Sequence, residues 1–558
     1  MGVRYSGFTV YRLMDTVTSP ADALVDGKGA KLVGRAKPVG AVTFRLYEGT
    51  PANHPPSYAA FIQDTWTKVA FTTEKRHAYL IVATVARGLT TRMYAVPFGL
   101  GRYLLSPEVI ERDFGARCAV SVILPLADTG TQSRIRSMDV KQLAANSMRS
   151  RRQSTFPAGL DEFGVERSSN LVTGFTGTPA DVTAWGPTIS GSDSVKLYGQ
   201  LDLDGLGKRI EALEDLSHTP DFAQAQADIS LYAVIKDPVK LDHLEDAVVA
   251  DVAKASPTFD LGVPEIHDFS PGTTYRFSGL GSVDERDTST LSVAALKAAL
   301  NAAGIPTNEW RDRFKKMRVT RMVNKIDDGS WTLARCLVGS ITEGDHVLVI
   351  DDGVWYRVPA TLMAEINAHL SKILEAPFRL PDAYVAEEEG DYNKRVSADP
   401  RYLLMDRKNV QVGARQKFEF CDLLVEDAGI LNAIAVKRDF ASSDLSHLIR
   451  QGLTSMTSLT DTTLRAKIRD AIDKVASKPP WTTNVDPYIT ADTVAKDRVR
   501  LVYGIIGDWR GGTLVQRLPF FSKLTLHEAF GTLERLGMNN VAYAKISMAT
   551  GAPPAAAP

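Results

Sequence analysis

Acidic and basic side chains in the last third of the chain have the types that metal-dependent chemistry needs. Asp422 lies in the apolar segment 417–425, Lys437 lies near the end of the apolar segment 430–438, and Glu389 lies in a preceding acidic stretch. Carboxylates bind Mg²⁺ because a hard cation prefers oxygen ligands, and a lysine can orient water or offset negative charge at a phosphate. We therefore expect Asp422 and Glu389 to hold Mg²⁺ (or Mn²⁺) and Lys437 to orient the attacking water in phosphodiester hydrolysis.

The segment SSDLSHLIRQG follows these residues and predicts a helix whose first turn could bind a phosphate. Ser442 or Ser443 can cap this helix, so that its free N–H groups and positive dipole end face the loop after Arg438. We expect Arg438 and Ser443 to contact nucleic acid there. His447 and Gln451 are four residues apart and share a helix face. We interpret His447 as a half-buried core histidine, whereas Gln451 is equally compatible with a structural role and a role at the site.

The elements that must position these residues follow the order strand–strand–helix–helix–strand. The two apolar segments predict a hairpin around the turn at 426–429. The pattern then predicts helices at 442–459 and 461–477, a strand at 498–507, a further segment at 518–537 and a strand at 541–548. This order predicts an α/β (α+β) fold in which helices flank a mixed sheet.

The length of 558 residues predicts three or four domains. We expect an α/β domain at 1–126, a loop-rich basic and helical segment at 127–260, an α+β segment with a hairpin at 261–376, the mixed-sheet domain at 377–548 and a disordered tail at 549–558. The sequence predicts strands at 8–14, 41–49, 77–86, 91–99 and 118–126, helices at 106–114, 203–216, 237–255, 291–304 and 361–376, and a hairpin of 331–339 with 346–358.

The composition is that of an ordinary globular protein. With 44% hydrophobic and 23% charged residues, the chain is not globally disordered. Its 65 Lys and Arg nearly balance 66 Asp and Glu, so any nucleic-acid surface must be a local patch. Three widely spaced cysteines indicate a reducing compartment and no zinc framework. Because no apolar run approaches ~18 residues and the first residues lack a signal-peptide stretch, we expect a cytoplasmic protein without a membrane segment.

Two basic stretches could bind a nucleic-acid backbone, because phosphate neutralisation needs clustered lysine and arginine. The first contains Arg149, Arg151 and Arg152, and the second contains Arg311, Arg313, Lys315, Lys316 and Arg318. Trp310 and Phe314 are interleaved with the second stretch, where an aromatic ring could stack on a base. A solvated helix face is the alternative interpretation of such a run of charge.

The segments EFCDLL (419–424) and AVKR (435–438) resemble the core of restriction-endonuclease-like nucleases, whose motif places an Asp on one strand and Glu-x-Lys on the next. This resemblance implies a mixed sheet flanked by helices, with Gln451 near the scissile phosphate. Over its whole length, the chain also resembles an uncharacterised, sporadically distributed bacterial family found near restriction-modification and other phage-defence genes.

This second resemblance is carried by segments spread along the chain. They are FGLGRYLLSPEVIERDFG (98–115), ISGSDSVKL (189–197), VPEIHDF (263–269), EEEGDYN (387–393), EFCDLL, AVKR, SSDLSHLIRQG (442–452) and LPFFSKLTL (518–526). The resemblance implies a nuclease that acts on foreign nucleic acid, alone, as a homo-oligomer or with a neighbouring defence protein.

One position departs from the nuclease motif, because Ala435 stands two residues before Lys437, where the motif has an acid. Glu389 is the better candidate for the missing carboxylate. Glu419 is a second candidate, although strand alternation places it on the opposite face from Asp422 unless a bulge intervenes. Four interpretations stay open: a metal-dependent nuclease, a non-catalytic nucleic-acid-binding or sensor protein with a degenerate core, a scaffold, or an ordinary ion pair between Asp422 and Lys437.

Overall fold

A computed structural model of the protein describes residues 4–549 with several gaps. The gaps are 26–28, 50–76, 89, 129–132, 144–147, 167, 255–256, 265–272, 281–286, 324–325, 345, 413–416, 439, 441, 478–480 and 482, and the side chains of 226–229, 326 and 442–444 also lie outside the description. Most of the segment VPEIHDF and residues 550–558 of the expected tail are therefore not described. The chain divides into a first unit, Met1–Gln142 with Arg149–Leu231, and a second unit, Leu143–Met148 with Tyr232–Pro558.

The first unit is built around a ten-stranded sheet. Its strands are β1 (Phe8–Arg12), β2 (Lys31–Val39), β3 (Val42–Glu48), β4 (Ala78–Arg87), β5 (Thr90–Gly99), β6 (Ile135–Gln142), β7 (Met148–Ala158), β8 (Asn170–Gly177), β9 (Ile189–Gly191) and β10 (Ser194–Leu197). They lie in the order β2-β3-β4-β5-β1-β10-β9-β8-β6-β7, and the pairings from β2 through β6 are antiparallel.

Helices of the first unit cover this sheet. They are α1 (Phe114–Ile123), α2 (Val182–Trp185), α3 (Leu203–Leu216) and α4 (Pro220–Ile229), with short 3-10 helices at Pro20–Ala23, Leu100–Leu104, Pro107–Val109 and Asp161–Phe163. Almost every residue of α1 is buried. A Cβ on Gly191 would lie only 1.8 Å from the Gly115 carbonyl oxygen, so this approach of α1 to β9 requires glycine.

Predictions for the first unit are correct at four strands, and wrong around α1 and in the part of the expected loop-rich segment where β6 to β10 lie. The strands expected at 8–14, 41–49, 77–86 and 91–99 are confirmed within two residues. Residues 118–126, expected as a buried strand, lie largely in α1, because a short apolar run is equally compatible with a buried helix. The helix expected at 106–114 is replaced by the 3-10 helix Pro107–Val109, and α1 begins only after Asp113, whose φ is +59°.

The first half of the second unit contains two small sheets with their helices. The elements are β11 (Ala233–Val234), α5 (Pro238–Val252), β12 (Asp260–Leu261), β13 (Thr273–Ser278), β14 (Asp287–Thr288), α6 (Val293–Ala302), a 3-10 helix (Thr307–Glu309), α7 (Trp310–Lys316), β15 (Arg318–Val323), β16 (Ile326–Thr332), α8 (Leu333–Cys336), β17 (Leu337–Glu343), β18 (His346–Asp351), β19 (Val354–Arg357) and α9 (Ala360–Leu370). One sheet has the order β11-β19-β18-β17-β12 and the other β14-β13-β15-β16.

The helices predicted in this region are confirmed, with shorter ends at α5, α6 and α9. The expected hairpin is shifted, because α8 occupies 333–336 and the strand that pairs with β18 begins only at Leu337.

The second half of the second unit is organised around a six-stranded mixed sheet. Its elements are β20 (Leu374–Glu375), β21 (Ala383–Tyr384), α10 (Glu389–Val396), β22 (Tyr402–Leu404), β23 (Asn409–Gln411), β24 (Lys417–Glu419), β25 (Leu423–Asp427), β26 (Ile430–Arg438), α11 (Ser442–Thr460), α12 (Thr462–Ala476), β27 (Val499–Ile506), α13 (Leu514–Arg517), α14 (Phe520–Arg535), β28 (Val541–Ile546) and β29 (Met548–Ala549). The sheet order is β20-β28-β27-β26-β25-β22, and β21-β29 and β23-β24 form two-stranded sheets.

The mixed α+β architecture with several sheets and helices is therefore confirmed. Strands β22, β25 and β26 pair antiparallel, whereas β26, β27, β28 and β20 pair parallel. The hairpin turn lies where it was expected, since Asp427 pairs with Ile430 across Ala428 and Gly429, both of which have positive φ. Helix α10 packs on one face of the sheet through Tyr392 and Val396.

Helix α11 lies on the face of the sheet that carries Tyr503, whose hydroxyl donates to the Ile449 carbonyl. Because β26 pairs with β27 at Ala435 and Tyr503, Ala435 belongs to this same face. Among the described residues, no helix is both long and apolar enough to cross a membrane.

Candidate active site

Three carboxylates converge beside strand β25. Asp406 lies in the turn after β22, Glu419 ends β24, and Asp422 immediately precedes β25. One carboxylate oxygen from each residue lies within 4.8 Å of the other two. Asp422 is 5% exposed, and the other two are partly buried. We call Asp406, Glu419 and Asp422 the carboxylate triad.

The hairpin register places Asp422 against β26. Leu423 pairs with Ile434, and one residue earlier the Asp422 N–H donates to the Ile434 carbonyl at 2.9 Å. The Asp422 Oδ2 atom accepts the Val436 N–H at 2.7 Å. The side chain is therefore fixed by the backbone of the strand that carries Lys437.

The turn after β22 brings in the other two members of the triad. The N–H groups of Met405 and Asp406 both donate to the Asp422 carbonyl, at 2.8 and 2.9 Å. Glu419 accepts the N–H of Arg407, whose φ of +59° reverses the chain. Glu419 reaches Asp422 without a bulge, because the strand is interrupted at 420–422 and alternation of faces does not continue across the break.

Electrostatics at the triad are those of crowded, partly desolvated acids. Burial raises the pKa of Asp422 to about 8; the hydrogen bond from Val436 opposes this rise, and the charges of Glu419, Glu389 and Asp406 add to it. Burial also raises the pKa of Glu419, and Asp406 and Glu389 contribute in the same direction. A bound cation would offset this repulsion directly.

Lys437 and Glu389 form an ion pair next to the triad. The Lys437 Nζ atom lies 3.2 Å from Glu389 Oε2, and both side chains are about one third exposed (29% and 31%). Glu389 Oε2 also accepts the N–H of Arg438 at 3.4 Å. Although Asp422 and Lys437 are both described, no ion pair joins them, so the interpretation of these two residues as an ordinary edge pair is wrong.

The donor set fits a hard divalent cation. All three ligating groups of the triad are carboxylates, and oxygens bound at roughly 2.0–2.6 Å from one ion are at most about 5 Å apart, which matches the observed spacing. Of the two predicted ligands, Asp422 belongs to the triad, whereas Glu389 is held by Lys437. The two oxygens beside Asp422 therefore come from Asp406 and Glu419.

Comparison with known proteins assigns the chain to a family. The model of a family of unknown function, DUF6119, matches residues 8–547. The chain belongs to this family. No curated protein matches it, and no solved structure does.

The residues predicted on and before α11 of this DUF6119 protein differ in their surroundings. Gln451 is partly buried, one turn before Ser455, whose hydroxyl donates to the Glu419 carbonyl at 3.4 Å. The Arg438 guanidinium donates to the carbonyls of Tyr384 and Glu387. His447 is exposed, so the expectation of a half-buried core histidine is wrong. The Ser443 side chain lies outside the described residues.

Two cations of the second basic stretch are paired with acids that are distant in sequence. Arg311 forms ion pairs with Asp242 and Asp246 of α5, and Lys315 forms one with Glu245 at 3.0 Å. Within the stretch, Arg313 lies 3.7 Å from Glu309, Arg318 donates to Ser330, and Lys316 is exposed. Trp310 is 3% exposed and donates to the Ile305 carbonyl, so its ring is not available to stack on a base.

The first basic stretch lies on β7 in the first unit. Arg151 makes a bidentate contact with Asp139 at 2.6 and 2.9 Å. Arg152 donates to the carbonyls of Phe163 and Gly164. Arg149 is partly buried. The side chains of this stretch are thus engaged in local structure within the first unit.

Sequence reasoning missed Asp406 as a member of the site. Its only local signal is an acid directly after a short apolar strand, in the segment LLMDRK. That strand, β22, pairs antiparallel with β25. A prediction of this pairing would have placed Asp406 beside Asp422.

Proposed function

We propose that this protein is a metal-dependent nuclease that hydrolyses phosphodiester bonds of foreign nucleic acid in phage defence. The observation that carries the proposal is the convergence of Asp406, Glu419 and Asp422 beside the Lys437–Glu389 pair. The resemblance of the C-terminal domain to restriction-endonuclease-like nucleases supports the reaction type. The defence role rests on the resemblance of the whole chain to a family found near phage-defence genes.

The triad would hold one Mg²⁺ or Mn²⁺ ion. When bound, the ion polarises the phosphate and lowers the pKa of a coordinated water. Asp422, fixed by the Val436 N–H, and Glu419, fixed by the Arg407 N–H, are oriented before the ion binds. This orientation lowers the entropic cost of assembling three like charges around a cation.

Lys437 would act on the attacking water or on a non-bridging phosphate oxygen. Its ammonium group has three donors, and the bond to Glu389 occupies one of them. In the reaction, the water oxygen bonds to phosphorus and the bond from phosphorus to the leaving oxygen breaks. The attacking water loses one proton to solvent, and the leaving oxygen takes up one proton from solvent. Gln451 would position the phosphate from α11.

Asp406 and Glu419 would supply the acid that the nuclease motif has two residues before its lysine. Ala435 occupies that position and is 1% exposed. The carboxylates that bind the cation beside Asp422 would then lie on neighbouring chain segments instead of on β26.

A cleavage assay tests the proposal on the full-length protein. Supercoiled DNA, single-stranded DNA and RNA are each incubated with protein and Mg²⁺, Mn²⁺ or EDTA. We expect cleavage with the metals and none with EDTA, and a rate lower by about a hundredfold or more for Asp422→Asn and Lys437→Met.

Two substitutions on α10 serve as matched controls. Asp391→Asn and Lys394→Met alter an exposed ion pair in the same helix as Glu389 and should cleave like the wild type. If Asp422→Asn cleaved as fast as these controls, the site assignment would be wrong. Nucleic-acid binding without cleavage under any metal would support the alternative, a non-catalytic binding protein, which the absence of an acid at position 435 favours.

A further inference from the structure

A second cluster of titratable side chains joins helices α9 and α14. His369 and His527 face each other with their Nδ1 atoms 2.8 Å apart. The rings are nearly perpendicular, at 85°, and Phe530 packs on the His369 ring at a centroid distance of 4.9 Å. Two imidazole nitrogens that are 158 residues apart in sequence are thus directed at each other.

Glu534 fixes the orientation of the His369 ring. Its Oε2 atom lies 2.8 Å from His369 Nε2, and its Oε1 atom accepts from Lys372 at 3.3 Å. Because a carboxylate only accepts, Nε2 of His369 carries a proton, and in the neutral ring the lone pair is on Nδ1, which faces His527.

We propose that His369 and His527 form a binding site for Zn²⁺ or a chemically similar transition-metal ion. Imidazole nitrogen is a preferred ligand of Zn²⁺, Cu²⁺ and Ni²⁺. A histidine ligand typically donates its other N–H to a carboxylate, which is the role that Glu534 has toward His369. An ion bound at roughly 2.0–2.1 Å by both nitrogens would separate them to about 3.4 Å. It would also displace to solvent the proton of the hydrogen bond that now joins the two Nδ1 atoms.

Metal binding here would link two helices that flank the six-stranded sheet region. Helix α9 precedes β20 at the edge of that sheet, and α14 precedes β28, its neighbour in the sheet. The His369 side chain is 15% exposed, so water can complete the coordination. The site differs from the carboxylate triad in its ligands and does not depend on the proposed nuclease activity.

Electron paramagnetic resonance of the full-length protein with substoichiometric Cu²⁺ tests the proposal. We expect hyperfine coupling to two imidazole nitrogens, which an all-oxygen site at the triad cannot produce. Asp422→Asn should keep this signal, whereas His527→Gln should lose it. His346→Gln, which removes an exposed histidine of β18, is the control and should leave the spectrum unchanged.

Zn²⁺ affinity measured by calorimetry gives a second readout. His527→Gln and His369→Gln should each lower the affinity at least tenfold, and Glu534→Gln, which keeps both nitrogens, should lower it ten- to a hundredfold. Circular dichroism checks that each variant is folded. Oxygen-only coordination of Cu²⁺ in the wild type would overturn the proposal. An unchanged Zn²⁺ affinity in both single variants, Glu534→Gln and His527→Gln, would also overturn it.

Discussion

Asp422 combines deep burial with three acidic neighbours and no cationic partner among the described residues. The single bond from the Val436 N–H does not compensate for burial, and the raised pKa of about 8 expresses the difference. Ionisation of Asp422 therefore destabilises the fold, and a bound cation would offset this cost. Structural carboxylates such as Glu387, which pairs with Arg395, have the opposite shift, because a guanidinium lowers their pKa.

The raised pKa of Asp422 predicts how stability depends on pH in the absence of metal. The folded pKa of about 8 lies above the unfolded value near 3.8, so the protonated group stabilises the fold fully below about pH 4. That contribution, on the order of a few kcal/mol, is lost as the pH rises toward and through 8. In EDTA, we expect the free energy of unfolding to fall over this range, and Asp422→Asn to flatten the fall.

Urea unfolding of both proteins at pH 5, 6, 7 and 8 measures this difference. Asp391→Asn, an exposed acid of α10, is the control and should parallel the wild type. Identical curves for wild type and Asp422→Asn would show that Asp422 is ionised without cost, contrary to this account.

Part of the site could be predicted residue by residue from the sequence. Residue type and position are enough to predict Asp422, Lys437 and Glu389. In the structure, Asp422 accepts the N–H of Val436, and the next residue, Lys437, pairs with Glu389. Asp406 could not be found in this way, because its proximity depends on pairing of β22 with β25. The position of Glu419 beside Asp422 does not follow from strand alternation, because the strand is interrupted at residues 420–422.

At the scale of elements, the approach of α11 to the sheet depends on one glycine. A Cβ on Gly452 would lie 2.9 Å from side-chain atoms of Leu501 and Tyr503, closer than packing permits. The same Cβ on Gly531, in α14, would meet only ordinary contacts at 3.8 Å. These two helical glycines therefore differ in the space around them and not in their backbone conformation.

This difference predicts opposite effects of alanine at the two positions. Gly452→Ala should lower the free energy of unfolding by about 1 kcal/mol, because overpacking outweighs the gain in helix propensity. Gly531→Ala should raise it by about 0.5–1 kcal/mol, because only the propensity changes. Thermal unfolding of the two variants gives the signs. A stabilising Gly452→Ala would mean that α11 is not held close to β27.

Helices and strands with a clear hydrophobic periodicity could be predicted from the sequence, whereas the type of a short, fully apolar segment could not. Helices α3, α11 and α12 and strands β4, β5 and β27 lie within two residues of their predicted bounds. Residues 118–126 fit a strand as well as a helix, because a short apolar run of this kind is equally compatible with a buried strand and with the buried helix α1 that the structure shows.

For the whole molecule, a net charge of −1 means that attraction to nucleic acid depends on local cations. The basic stretch on α7 is opposed by acids of α5, since Arg311 is shared between Asp242 and Asp246. Before Arg311 can contact a phosphate, its ion pairs with these carboxylates must break. This cost makes each phosphate interaction less favourable.

Removing the opposing acids should therefore strengthen binding. For the double variant Asp242→Asn with Asp246→Asn, we expect a several-fold higher affinity for a short duplex in EDTA. We also expect the slope of log affinity against log salt to steepen by about 1 for each additional phosphate that the released cations neutralise. Fluorescence anisotropy measures both quantities, and Asp391→Asn is the control. An unchanged slope would exclude α7 from the nucleic-acid surface.

We propose that Asp406, Glu419 and Asp422 share one divalent cation. Anomalous diffraction from crystals of the protein grown with Mn²⁺ would locate this ion. We predict a manganese peak with one oxygen of each residue at about 2.0–2.6 Å. A structure with saturating Mn²⁺ in which these carboxylates adopt the same positions and no manganese lies among them would contradict the claim.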